Sequence, residues 1–130
     1  MLGGVVRSDI RSSFGSSGSG ANVQASGVPA KIQFQVVNAS AGCTPMKDAA
    51  VYVWHCTSDG KYSMYSQGVE DQNYLRGVQA ADADGWVTFQ SVFPACYDGR
   101  WPHIHFEVYA SVDDATNGGA KLVTSQLAMP

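Results

Sequence analysis

The chain has 130 residues, 45% of them apolar and 15% charged, with a formal net charge of −3. That is one globular domain with room for a real core, not two domains and not a disordered chain. The acidic balance excludes non-specific nucleic-acid binding, and no apolar run is long enough to span a bilayer.

Met1-Leu2-Gly3-Gly4 carries no secretory-leader pattern. It reads as an added start, or as the edge of a domain whose leader has been removed. Residues 12–20, SSFGSSGSG, are Gly/Ser-rich and predict a flexible loop or linker, so residues 1–29 are set apart from a folded domain over 30–130. From Ala30 the pattern changes. Ile32, Phe34 and Val36 alternate with Lys31, Gln33 and Gln35, the signature of a half-buried strand. Asn38 to Gly42 is a turn signal. Ala50 to His55 is a second strand, closed by Asp59-Gly60. A polar, tyrosine-rich connection runs from Tyr62 to Gly77. Asp82-Ala83-Asp84-Gly85 turns the chain into a strand at Trp86-Val87-Thr88-Phe89. His103 to Tyr109 reads as a strand, Asn117-Gly118-Gly119 as a loop, and Lys121 to Leu127 as a last strand. Helical periodicity is weak throughout. Short strands with turn chemistry between them predict an all-β fold, a sandwich or barrel.

The chemistry concentrates in Tyr97-Asp98-Gly99-Arg100-Trp101-Pro102-His103-Ile104-His105-Phe106. In a strand, His103 and His105 point to one face and can converge on an ion. Zinc, copper and iron all accept two imidazoles. Asp98 and Glu107 are nearby carboxylates, and Glu107 continues the face of His105, so a His₂Glu zinc site is one reading. Two polar residues on a solvent face is another. Tyr62 and Tyr97 each follow a turn at a strand end. Core packing with a wet hydroxyl is the ordinary role of a tyrosine. As ligands, phenols with a pKa near 10 need a strongly Lewis-acidic ion such as ferric iron. Arg100 is either a surface cation stacked on Trp101 or a fixed charge beside a site that handles an anion. A non-catalytic alternative sets Trp54, Trp86 and Trp101 out as a sugar- or lignin-binding platform. The three cysteines, Cys43, Cys56 and Cys96, lack the paired spacing of a structural zinc site.

Five blocks, in order, resemble the intradiol ring-cleavage dioxygenases, the catechol and protocatechuate dioxygenases. They are Trp54 to Tyr62, Tyr74-Leu75-Arg76-Gly77, Asp82 to Gly85, Phe93 to Tyr97, and Arg100 to Phe106. The resemblance covers about Ile32 to Gln126. It implies a β-sandwich with the metal site on its rim and one non-haem Fe(III) per chain, held by Tyr62, Tyr97, His103 and His105. In the family, the positions of Tyr97 and His103 are axial, and those of Tyr62 and His105 equatorial. Tyr97 also takes a substrate proton, Arg100 lies over the substrate ring, and Gln126 borders the same pocket. The implied partners are a small aromatic diol and O₂. Five residues separate Tyr97 from His103, fewer than in the best-known members, which implies a more open site. The helical N-terminal dimerisation region of the catechol enzymes is lacking. The short, cysteine-containing form resembles the secreted branch. There the resemblance implies a bridge between the positions of Cys43 and Cys56, Cys96 either unpaired or paired outside these 130 residues, and an extracellular location, with a cytoplasmic one as the alternative.

Overall fold

A computed structural model describes residues 4–15 and 23–130. Most of the expected 12–20 linker, and most of the expected leader edge, fall on residues outside that set. Eight strands are described: β1 (Pro29–Gln35), β2 (Val37–Asn38), β3 (Thr44–Pro45), β4 (Ala50–Trp54), β5 (Arg76–Ala80), β6 (Trp86–Val92), β7 (His103–Tyr109) and β8 (Lys121–Ala128). One short helix, α1 (Val112–Thr116), precedes the last strand. The all-β architecture matches the expectation from strand periodicity.

Six of the strands form two layers, while β2 and β3 pair as a separate antiparallel ribbon. β1 and β6 pair antiparallel, with Ile32 opposite Phe89 and Phe34 opposite Val87. The larger sheet is antiparallel throughout, in the order β5-β4-β7-β8. Ile32, Val87 and Phe89 from the small layer meet Val51, Val53, Ile104 and Val108 from the large one, with Ile10, Ala81 and Met129 completing the cluster. Alternation explains the contact: each strand presents every second side chain inward. Val51, Val53, Phe89 and Ile104 are fully buried.

The outer face of the large sheet is divided. At one end it is closed by a second cluster, Val5, Ala50, Val78, Tyr109 and Ala115. At the other end it stays open. There the register sets Arg76, Trp54, His105 and Gln126 directly opposite one another, one from each strand. Directly paired residues share a face, so this is a transverse row of polar and aromatic side chains.

Three features depart from the sequence reading. β5 (Arg76–Ala80) begins inside the stretch read as a connection from Tyr62 to Gly77, and no strand was expected there. Its only strongly β-favouring residue is Val78, and Gly77 interrupts the pattern. That glycine is required by packing, since a Cβ there would stand 2.5 Å from Ile10 Cγ2. Next, α1 lies where a plain loop was expected. It is capped by Ser111, whose hydroxyl accepts from the Asp114 amide at 3.1 Å. Finally, Ser12 to Phe14 are not a free linker: Ser13 is buried and its hydroxyl donates to Gln72 Oε1 at 2.6 Å. The preceding segment is held by the Val78 and Gln90 backbones, with Ile10 N donating to Gln90 O at 3.0 Å.

The expected Cys43–Cys56 bridge is not made; both thiols are free. Cys43 is exposed in a left-handed turn (φ 59°) beside Pro45, at the Ala50 end of β4. Cys56 is buried beyond the Trp54 end, its Sγ donating to Ala95 O at 3.5 Å. Five extended residues span roughly 17 Å, whereas a disulfide needs Cα atoms within about 7 Å. The two positions are close in sequence, but β4 lies between them as a rigid spacer and holds them at its opposite ends. The extracellular reading loses the support it drew from that bridge.

Candidate metal centre

β7 supplies both histidines. His103 and His105 lie one pleat apart on the open face, and their Nε2 atoms approach to 3.1 Å. His103 is buried and donates Nδ1–H to the Trp101 carbonyl at 2.7 Å. A carbonyl only accepts, so the proton is fixed on Nδ1 and Nε2 carries the lone pair into the site. His105 is held differently. Its ring stacks on Trp54 at 4.8 Å between centroids with 7° between planes. Trp54 stacks in turn on Tyr52 at 5.1 Å.

The tyrosines come from two turns. After β4, Thr57 closes a loop by accepting from Lys61 N at 2.9 Å, which delivers Tyr62. Tyr62 is then pinned on both sides of its peptide: its N–H donates to Ser66 Oγ at 2.9 Å, and its carbonyl accepts from Ser66 N at 2.9 Å. Tyr97 opens the turn into the histidine strand, with Arg100 N donating to Tyr97 O at 2.7 Å across Gly99 (φ 72°).

The four donor atoms converge. Tyr62 Oη lies 2.9 Å from Tyr97 Oη, 3.0 Å from His105 Nε2 and 3.5 Å from His103 Nε2. Tyr97 Oη lies 3.3 Å from His103 Nε2. An ion bound at about 2.0–2.2 Å from each donor sets neighbouring donors roughly 3–3.5 Å apart, so these spacings fit a single ion among all four residues.

Electrostatics point the same way. Burial first, then the neighbouring His103, Arg100 and Arg76 charges, lowers the His105 pKa and keeps its imidazole neutral. Burial first, then the Tyr97 contact, raises the Tyr62 pKa well above the ordinary phenol value. Without a cation Tyr62 therefore stays protonated. A bound trivalent ion reverses that balance, because its charge stabilises the phenolate directly.

Arg100 does not stack on Trp101. It donates through Nη2 to Gln126 Oε1 at 2.5 Å, and the same atom lies 3.5 Å from His103 Nε2. The structure thus brings Tyr62, Tyr97, His103, His105, Arg100 and Gln126 together. Glu107 does not join them. It accepts from Tyr109 Oη at 2.5 Å and pairs with Lys121 Nζ at 2.9 Å. Asp98 is exposed in its turn. Among the described residues, no three His, Cys, Asp or Glu side chains are grouped to hold a metal, which removes the basis of the His₂Glu zinc reading. Nor do the tryptophans make a platform. Trp54 supports His105, while Trp86 and Trp101 are exposed on separate elements, and among the described residues no two of the three touch.

Two functional neighbours were not legible. Trp54 opens the first of the five sequence blocks, but its stacking role depends on lying opposite His105 across β4 and β7. Arg76 is buried at 8% exposure and holds Ser63, the residue after Tyr62. Its Nε donates to Ser63 Oγ at 3.1 Å and its Nη2 to Ser63 O at 2.9 Å. A cavity of about 350 Å³ opens beside the cluster, lined among others by Trp54, Tyr62, Tyr65, Arg76, Tyr97 and His105.

Residues 18–127 match the family model described as Dioxygenase. Over 55 residues the chain is 42% identical to a chlorocatechol 1,2-dioxygenase from Rhodococcus opacus, an alignment covering 42% of this chain and 21% of that protein. A catechol 1,2-dioxygenase from a Pseudomonas species is 38% identical over 53 residues, covering 41% of this chain and 17% of the relative. Among solved structures, an intradiol ring-cleavage dioxygenase from Tetranychus urticae superposes with a TM-score of 0.76 at 27% identity, over 95% of this chain and 57% of that one. The dioxygenase domain of a dioxygenase–carbohydrate-binding fusion from a cellulolytic Streptomyces gives 0.67 at 26% identity, over 96% and 65%. The aligned region spans about a fifth of the curated relatives and little more than half of the solved chains. With the family model spanning most of the sequence, the β-layer fold matching over 95% of this chain, and two tyrosines and two histidines meeting at one point, the chain belongs to the intradiol ring-cleavage dioxygenase family.

Proposed function

We propose that this chain is the catalytic domain of a non-haem ferric intradiol dioxygenase. It would open catechol-type rings between the two hydroxyl-bearing carbons, adding both atoms of O₂ to give a muconate-type diacid. The observation that carries the proposal is the approach of Tyr62 Oη to three other donor atoms, at 2.9, 3.0 and 3.5 Å. The catechol and chlorocatechol dioxygenase names of the curated relatives support the substrate class.

Tyr62, Tyr97, His103 and His105 would hold the ion. Ferric iron held there would supply Lewis acidity, drawing electron density from the diol and making its ring reactive toward O₂. The protein does the rest. Two phenolates offset two of the ion's three charges and two neutral imidazoles complete the set, so an anionic diol is still attracted. Tyr97 sits on a turn rather than in a strand and can move, and its Oη accepts one proton from the entering diol. His103 and His105 stay fixed, one by the Trp101 carbonyl and the other by the Trp54 ring. Arg100, aimed by Gln126, places a guanidinium beside the cluster to stabilise negative charge as it develops on the ring. Trp54 covers one side of His105 and keeps water from that face.

The test is a visible spectrum of the purified protein, then catechol added under nitrogen, then oxygen. A broad tyrosinate-to-iron band, its shift on adding catechol, and stoichiometric oxygen uptake are expected. A colourless protein that takes up zinc in preference to iron would sink the proposal.

A further inference from the structure

Two thiols lie behind the donor cluster, one at the root of each tyrosine-bearing connection. Cys56 starts the loop that delivers Tyr62, and Cys96 immediately precedes Tyr97. The two segments lie against each other. Ala95 N donates to Thr57 O at 3.1 Å, and Cys56 Sγ donates to Ala95 O at 3.5 Å. A Cβ added at Gly60 would stand 3.5 Å from Tyr97 Cβ and 3.7 Å from Cys96 O. The planar peptide after Ala95 sets the Cys96 Cα roughly 3 Å from the Ala95 oxygen. That Cα is therefore no more than roughly 6–7 Å from the Cys56 sulfur. Burial is the main cause of the raised Cys56 pKa, and the charges of Asp59 and Cys96 raise it further, so the two thiols are neighbours. Cys96 is exposed, and its side chain is free to turn toward Cys56; closing the pair then takes a shift of about 1 Å in its turn. Cys43, at the far end of β4, has no such access.

We propose that Cys56 and Cys96 are a disulfide-forming pair, closed by a small-molecule disulfide, and that the bond ties the Tyr62 loop to the Tyr97 turn. The exposed Cys96 sulfur attacks the external disulfide and releases one external thiol, leaving a mixed disulfide. The Cys56 sulfur then displaces the second external thiol from Cys96. Two protein S–H bonds and one external S–S bond become one protein S–S bond and two external S–H bonds. The protein pair loses two electrons and two protons, and the external disulfide gains them. Burial shields the closed bond on the Cys56 side, while Cys96 stays open to exchange. The bond closes the loop of residues 56–96, which contains β5 and β6, and so restrains the unfolded chain. It also holds the two connections together without help from an ion, so the pair and the metal centre are separate ties on the same loops. The inference does not depend on the dioxygenase reading.

The experiment treats the purified protein with oxidised glutathione, or with dithiothreitol as the reduced control. Remaining thiols are then alkylated in denaturant, and unreduced digests are mapped by mass spectrometry. The expected product is one peptide pair joining Cys56 to Cys96, lighter than the two free peptides by two hydrogens, with Cys43 alkylated. Dithiothreitol should reverse it. Cys43→Ser should leave the linkage intact, and Cys96→Ser should leave Cys56 alkylated. Calorimetric scans of the same samples are expected to show the oxidised wild type melting roughly 5–15 °C above the reduced one, a difference absent in Cys96→Ser. Three alkylated cysteines after oxidation overturn the inference. So does a linkage that includes Cys43, or a glutathione adduct that persists on Cys96 while Cys56 stays alkylatable. A mapped Cys56–Cys96 bond that leaves the melting temperature unchanged overturns its role as a tie.

Discussion

Tyr62 meets the other three donors, while its own backbone is held on both sides by Ser66. Removing its hydroxyl takes one anionic donor away and leaves the other three without their common neighbour. Tyr62→Phe is therefore expected to lower the affinity for iron by more than the ~10- to 100-fold that loss of a supporting partner costs, leaving the isolated protein depleted of iron. Metal analysis beside the visible spectrum checks this; full iron with an unchanged band would contradict it. His55, the residue after Trp54, is a different case. It is fully buried, donates Nδ1–H to Cys56 O at 2.7 Å and accepts from Ser91 Oγ at Nε2, 2.6 Å. Burial above all lowers its pKa from 6.5 to about 4. The unfolded chain binds this proton below pH 6.5, while the folded chain refuses it until about pH 4. Stability is thus complete above pH 6.5 and declines as the pH falls toward 4, by up to about 3 kcal/mol from this group. Urea midpoints across that window should show the decline in the wild type and a flatter profile in His55→Gln. Parallel profiles would place the proton elsewhere.

At the scale of elements, β5 exists because of its partners. Val78 N donates to Val5 O at 2.9 Å and Leu75 N to Ile10 O at 2.6 Å, so the N-terminal segment and β4 flank it on its two sides. Gly77 lets the Ile10 side chain pass. Gly77→Ala is expected to destabilise by about 1–3 kcal/mol through overpacking. An unchanged denaturation midpoint would show that Ile10 yields without cost. The helix cap makes a smaller claim: Ser111→Ala should cost about 1 kcal/mol, read the same way. These elements also mark where sequence reading succeeds and stops. β1 and β7 declare themselves by alternation, β4, β6 and β8 by β-favouring runs between turn signals, and the Asp82–Gly85 turn by its chemistry, with Asp82 Oδ1 accepting from both Asp84 N and Trp86 N at 2.9 Å. β5 does not, because a glycine demanded by a residue 67 positions earlier breaks its pattern. His103 and His105 were legible from spacing within one strand; Tyr62, Tyr97 and Arg100 stood as candidates between a structural and a functional role that the resemblance decided, and Gln126 came from the resemblance alone. Trp54 and Arg76 act through cross-strand register, which no local pattern encodes.

Across the whole molecule, the donor cluster is a junction. Tyr62 comes from the loop after β4, Tyr97 from the turn after β6, and both histidines from β7, which the large sheet joins to β8 and β4. An ion bound to all four ties both connections to the central sheet, and only the folded chain presents those donors together. Metal binding is then folding energy. With free iron at 100 times the dissociation constant, linkage adds about 2.7 kcal/mol, which for a domain of this size raises the melting temperature by roughly 10 °C. Calorimetric scans of loaded, chelated and reloaded protein should show that fall and its recovery, with the colour following in step. The Tyr62 and Tyr97 segments should lose amide protection first on chelation, because the large sheet keeps its own ladder without the ion. An iron-free protein that melts at the same temperature as the loaded one would mean that the ion binds a site the fold has already completed, and contributes chemistry alone.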